Sequence, residues 1–280
     1  MMRAKTIALL SFAIGIVGTA AAAWAQAPVQ LKFSRVVDLT LPIETNMAGI
    51  PGLKIYADNP SKVGIIAAMT ESQRELLRTE GLTLVDNIEI NGRVMISLLS
   101  ILTHNGTHID APRHVLEKGF PVDQLPLTQV AREGVLINLT HKGANSSISV
   151  KDILDTGVAL GPDRIPVIHT GWTDKTWGKA EFWTQMPYLE PGVGALMASK
   201  GVPALAMDVF PEKALWRGVK LEPGEVWLGN HHALLGKGIP LIQFVTNLSQ
   251  IGSSKFVLVA LPLKMKGADG SPARVIALVE

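Results

Sequence analysis

Cysteine is absent from the 280 residues. That excludes disulfide staples, a cysteine nucleophile and thiolate metal centres, so any metal must be held by nitrogen and oxygen donors. Aromatic residues supply only 5% and charged residues 18% of the chain, and 26 Lys and Arg stand against 24 Asp and Glu. So small an imbalance, with no basic patch, gives no footprint for nucleic acid. Because 47% of the residues are hydrophobic, there is enough apolar material for one ordinary globular core, and whole-chain disorder is excluded.

One long apolar run is present, from Ile7 to Ala23, preceded by Arg3 and Lys5 and followed by Ala23-Trp24-Ala25. A basic start, an apolar middle and small residues at the end read as a cleavable export signal. Ser11, Gly15, Gly18 and Thr19 dilute its centre, which argues against a stable membrane anchor. The expectation is cleavage near Ala25, leaving 26–280 as one domain with balanced charge in a periplasm or extracellular space.

Phe33–Leu41 reads as a short strand, and apolar runs mark further strands at Val135–Leu139, Ile165–His169, Ala204–Met207, Pro240–Phe244, Phe256–Ala260 and Arg274–Val279. Ile88 and Ile90 alternate before Asn91-Gly92, and Val94 and Ile96 after it, the pattern of a two-residue hairpin turn. Helical spacing fits Val150–Asp155, Gly192–Ser199 and His231–Leu235, and also Lys62–Glu80, read as a surface helix rather than a lid. Thr70 and Gln73 have the spacing of a capping box there. The segment from Pro42 to Pro60 reads as loop. Strands mixed with helices predict an α/β or α+β domain.

The chemistry gathers at His104-Asn105-Gly106-Thr107-His108-Ile109-Asp110-Ala111-Pro112-Arg113-His114, expected where the second arm of the hairpin ends. His104, His108, Asp110 and His114 are all even-numbered, and alternate residues of an extended chain face one side. A straight strand would hold His104 and Asp110 about 20 Å apart, whereas donors to one metal lie about 2 Å from it. The chain must therefore bend, with freedom supplied by Gly106, while Pro112 limits helix before it. Asn105 stands where a zincin helix needs glutamate. Imidazole with carboxylate suits zinc, manganese, iron or nickel better than calcium or magnesium.

This run resembles the His-x-Gly-Thr-His-x-Asp-x-Pro-x-His signature of the cyclase family, which includes bacterial kynurenine formamidases and isatin hydrolases. The resemblance extends from Asp38-Leu39-Thr40, through Thr170-Gly171-Trp172, to His231, Gly238-Ile239-Pro240 and Asn247-Leu248. It implies an α/β, swivelling β/β/α-type single domain, commonly a homo-oligomer, that hydrolyses amide-like bonds in small molecules. By the same match His104, His108 and Asp110 are metal ligands, His114 is general base and acid, and His231 is a second-site ligand in dinuclear members. Where those members carry a glutamate, this chain has Gln243, which favours a single ion, manganese or zinc, per chain. Ile50, beside Pro51, replaces a tryptophan of formamidases. Ile50, Pro51 and Trp172 are thus the expected substrate-pocket residues.

The leading expectation is a metal-dependent hydrolase of a carbon–nitrogen bond in a cyclic amide or aryl formamide, using metal-activated water with His114 as base and acid. A lactone or ester hydrolase or cyclase needs the same apparatus, and an exported, non-catalytic metal or small-molecule binder is the alternative of another class. Gln243 is expected to bind the metal or orient water, with His231 nearby. His232 reads as structural, His141 as exposed, His169 as a core or rim residue, and Asp208 as either a site acid or a cap. Trp172, Trp177 and Trp183 fit an aromatic pocket or an oligomer interface.

Overall fold

The computed structural model describes residues 32–44, 47, 84–90, 94–213, 228–252 and 254–280, and one compact unit runs from Phe33 to Glu280. The expected export signal, Ile50, Pro51 and the helix at 62–80 with its capping box lie outside the described residues.

In the described residues β1 is Arg35–Asp38, β2 Leu84–Ile90, β3 Val94–Ser100, β4 His108–Asp110, β5 Ala131–Asn138 and β6 Ser147–Ile148. They are followed by β7 Arg164–His169, β8 Tyr188–Leu189, β9 Leu205–Met207, β10 Leu241–Gln243, β11 Phe256–Pro262 and β12 Gly270–Val279. The α-helices are α1 Val150–Asp155, α2 Trp172–Thr176, α3 Glu181–Thr184, α4 Val193–Ser199 and α5 Gly229–Leu235.

An eight-stranded sheet runs β1-β12-β11-β5-β7-β9-β10-β4, and a further pairing of β12 with β4 closes it into a barrel. β5, β7, β9 and β10 are mutually parallel, as the intervening helices require. The other barrel pairings are antiparallel. The mixed α/β class is therefore borne out. Parallel strands covered by helices are apolar on both faces, and in β7 every residue after Arg164 is buried.

Side-chain alternation splits the core in two. Val37, Ile109, Ile165, Val167, Ala206, Ile242, Leu258, Val275 and Ala277 form one cluster, the barrel interior. Ile168, Met207, Leu241, Phe244, Leu234 and Leu235 belong to a second, where helices pack on the outside.

Some elements depart from the sequence expectations. β1 covers only part of Phe33–Leu41. The expected hairpin arms pair, Ile90 with Val94, while the Asn91-Gly92 turn lies outside the described residues. Helices α2 and α3 were not foreseen because five and four residues are too few to display a period.

Helix α1 starts at a capping box: Ser149 Oγ accepts from Asp152 N, and the Asp152 carboxylate accepts from Ser149 N. Burial pushes the Asp152 carboxyl up, but Lys142 and the Ser149 donors outweigh it and bring its pKa down to about 2. Replacing Ser149 with Ala should cost about 1 kcal/mol in denaturant unfolding at pH 7. A depressed acid stabilises the fold fully above its unfolded pKa of about 4 and loses that contribution as pH falls toward 2. Asp152→Asn should therefore destabilise at pH 7, and the gap from wild type should shrink by pH 3.

Candidate metal centre

Ile109 is fully buried in the barrel interior, so its neighbours His108 and Asp110 must face outward, toward the helices. In the register of β4 with β10, Gln243 lies opposite His108, on the same outer face. α5 brings His231 to that face, with Leu234 and Leu235 anchored in the outer core. His104 sits in the turn before β4, where Gly106 has φ +63°, a left-handed geometry that glycine adopts without strain. His114 ends the 3-10 turn Pro112–His114. The predicted bend is thus present on both sides of a three-residue strand. The cluster starts four residues after β3 ends and has its own strand, whereas the sequence reading ran β3 directly into it.

The central carboxylate is Asp110, with none of its surface exposed. His104 Nδ1 donates to its Oδ1 at 2.7 Å, and His108 Nε2 stands 3.2 Å from the same oxygen. On the other side, Gln243 Nε2 donates to Asp110 Oδ2, and His231 Nε2 is 3.3 Å from it. His108 Nδ1 donates to Gly106 O at 2.8 Å, which fixes its tautomer and leaves Nε2 facing Asp110. The motif's Thr107 accepts from Leu41 N and donates to Phe244 O, tying β4 to two neighbouring segments.

Two acids not foreseen from the sequence complete the shell. Glu212 Oε1 accepts from His231 N and His231 Nδ1, both at 2.9 Å. Asp269 Oδ2 accepts from His104 Nε2 at 2.9 Å and from His114 Nδ1 at 3.2 Å. Glu212 follows Phe210-Pro211, and Asp269 lies in an Asp-Gly pair that reads as a turn, so only their fold positions reveal them.

The charges follow. Burial pushes the His104 imidazolium toward deprotonation, but Asp110 and then Asp269 outweigh it and raise its pKa to about 10. Burial also opposes ionisation of Asp110, yet His108, His104 and His114 hold it well below the usual range. His114 is lowered by burial and by the His104 charge, whose ring centroid lies 4.1 Å away.

A divalent ion fits this donor set. His104, His108 and Asp110 each offer one atom within 4.8 Å of the others. Donors bonded at 2.0–2.2 Å to a zinc-like ion lie about 3 Å apart, which is the spacing of His104 Nδ1 and His108 Nε2 from Asp110 Oδ1. Gln243 Oε1 is buried without a hydrogen-bond partner, an acceptor that a cation would satisfy.

Other expected residues lie elsewhere. His141 and His232 are exposed. His169 is buried and lines a separate cleft of about 770 Å³. Asp208 is a structural anchor away from the site: its carboxylate accepts from Thr170 N, Thr170 Oγ1 and Gly171 N just ahead of α2, and burial raises its pKa to about 6. Trp172 is buried in the outer core, its indole N–H donating to Phe182 O. Aromatic links to the site come from Phe244, its centroid 5.6 Å from His108 and 5.5 Å from Trp183, and from Phe210, 5.3 Å from His231.

With fold and site in hand, comparison with known proteins gives the class. Residues 37–211 match the Cyclase family model, described as "Putative cyclase"; the chain belongs to that family. It is 26% identical over 247 residues to a kynurenine formamidase of Bacillus cereus strain ATCC 14579, covering 88% of this chain and 98% of the relative. A kynurenine formamidase of Geobacillus thermodenitrificans is 29% identical over 184 residues, 66% of this chain and 80% of the relative. Among solved structures, isatin hydrolase A from Ralstonia solanacearum matches with a TM-score of 0.67 and 19% identity, covering 88% of this chain and 92% of that one. At such identity the structural likeness speaks for the fold alone.

In the metal-free protein, protonated His104 stabilises the fold fully below about pH 6.5, and that contribution is lost as pH rises toward 10. A metal must displace the His104 proton. Affinity for manganese or zinc should therefore rise by about tenfold per pH unit between pH 6 and 8, with close to one proton released per ion, measured by calorimetry in buffers of different ionisation enthalpy.

Proposed function

We propose that this chain is a metal-dependent hydrolase of a carbon–nitrogen bond in a small cyclic amide or aryl formamide. The observation that carries the reading is the convergence of His104, His108 and Asp110 on one point with His114 beside them. Kinship with kynurenine formamidases and the fold shared with isatin hydrolases support it.

In this reading His104, His108 and Asp110 hold one divalent ion, manganese or zinc, with Gln243 and His231 completing the surround. Such an ion supplies Lewis acidity for a carbonyl and for water. His114 takes the proton from the attacking water and returns it to the departing nitrogen, which is a poor leaving group unless protonated. Its two tasks need a ring that changes charge easily and stays close to the ligand set, which a short 3-10 turn after β4 provides. Asp110 and the rigid backbone around it hold the rings in place, so the attack geometry is set before substrate arrives.

Gln243 supports the single-ion reading, because a neutral amide is a weaker ligand than a bridging carboxylate. Elemental analysis of the purified protein is expected to give one ion per chain; two would overturn that part. His114→Ala should keep its metal and lose about 100-fold or more in kcat on isatin or formylkynurenine. Full activity in that variant would remove His114 from the chemistry, and turnover of simple lactones alone would move the substrate class to esters.

A further inference from the structure

Asp269 bonds both His104 and His114 through a single oxygen, Oδ2. We infer that it is a positioning residue that sets the tautomers of the metal ligand His104 and the proton carrier His114 together. The inference rests on the functional reading above and goes beyond it, because it assigns one acid to both metal retention and proton transfer.

The backbone holds Asp269 firmly in place. Ala111 N donates to Asp269 O and Val122 N to Ala268 O, each at 2.9 Å, so the residue is held beside the loop that leads to His114. Gly270 follows, opposite Asp110 in the pairing of β12 with β4. A Cβ at Gly270 would lie 2.7 Å from His104 Cε1 and 2.9 Å from Ile109 O. Only glycine lets the His104 ring lie against this backbone, and that close approach sets the ring beside Asp269. The second oxygen, Oδ1, is occupied by Thr103 Oγ1 at 3.3 Å, which leaves Oδ2 to the two imidazoles.

A neutral imidazole carries one proton on two nitrogens. When a cation displaces the proton that His104 Nδ1 gives to Asp110, donation from Nε2 to Asp269 keeps the remaining proton on Nε2, so the lone pair falls on Nδ1, the nitrogen in the donor set. Donation from His114 Nδ1 leaves Nε2 as the free base. One carboxylate oxygen thereby selects the ligand nitrogen of one ring and the basic nitrogen of the other. Carboxylates behind metal-bound imidazoles fix the ring and raise its basicity, and a carboxylate behind a catalytic imidazole holds the working tautomer. Glu212 does the former for His231 alone.

The test compares wild type with Asp269→Asn and Asp269→Ala as full chains. Zinc affinity is measured by competition with a chelating dye, kcat and KM at saturating zinc on the substrate the wild type turns over, and ring protonation by long-range ¹H–¹⁵N NMR of the zinc form. Asp269→Ala should weaken zinc binding by about 10–100-fold, lower kcat more than it changes KM, and abolish the Nδ1–H signal of His114. Asp269→Asn preserves shape and folding, yet its amide can donate and reverse a ring, so the same three readouts should move in the same direction. Wild-type zinc affinity, kcat and ring protonation in Asp269→Asn, or in a folded Asp269→Ala, would overturn the inference alone. Failure of wild type to bind zinc or manganese would bring down the functional reading itself.

Discussion

The pleat of β4 governs the site. Its middle residue, Ile109, is committed to the barrel interior by burial that contributes roughly 1.5–3 kcal/mol for a side chain of this size. With Ile109 inside, His108 and Asp110 can only point out, and a slip of one residue would reverse all three. The same pleat in β10 puts Ile242 inside and Gln243 out. A hydrophobic requirement at two adjacent strands therefore gathers polar residues that would be costly to bury singly.

That cost is met by mutual satisfaction. Asp110 is enclosed, and its two oxygens face His104, His108, His231 and Gln243. A second ring of acceptors, Gly106 O, Glu212 and Asp269, stands behind the imidazoles. The arrangement concentrates histidine around one carboxylate, and the resulting excess of imidazole over acid suits a site that exchanges protons for a cation.

Much of this was legible in the sequence because the candidate ligands are close together in it. Even spacing from His104 to His114 announced a shared face, Gly106 announced where the chain bends, and Pro112 that no helix runs into it. β7, β9 and β11 declared themselves by apolar runs with turns between them. What remained hidden came from distance along the chain. Asp269 stands 155 residues from His114, and its Asp-Gly setting looks like any turn. Glu212 reaches His231 only because both flank the same helix start. Asp208 could not be assigned to a structural role rather than the site until its partners, Thr170 and Gly171, were seen. Trp172 suggested a pocket because aromatic side chains line many pockets, yet its indole is spent on a backbone carbonyl inside the core.

β4 has three residues, and through it the barrel closes between β10 and β12. A stave so short has few backbone hydrogen bonds of its own to hold it between its neighbours. The side chains that would grip a cation belong to this stave, to the turn before it, to its neighbour β10 and to a helix outside. A cation held there would work as a rivet across the seam, so that the proposed chemistry and the mechanics that keep the cylinder shut would draw on the same few atoms.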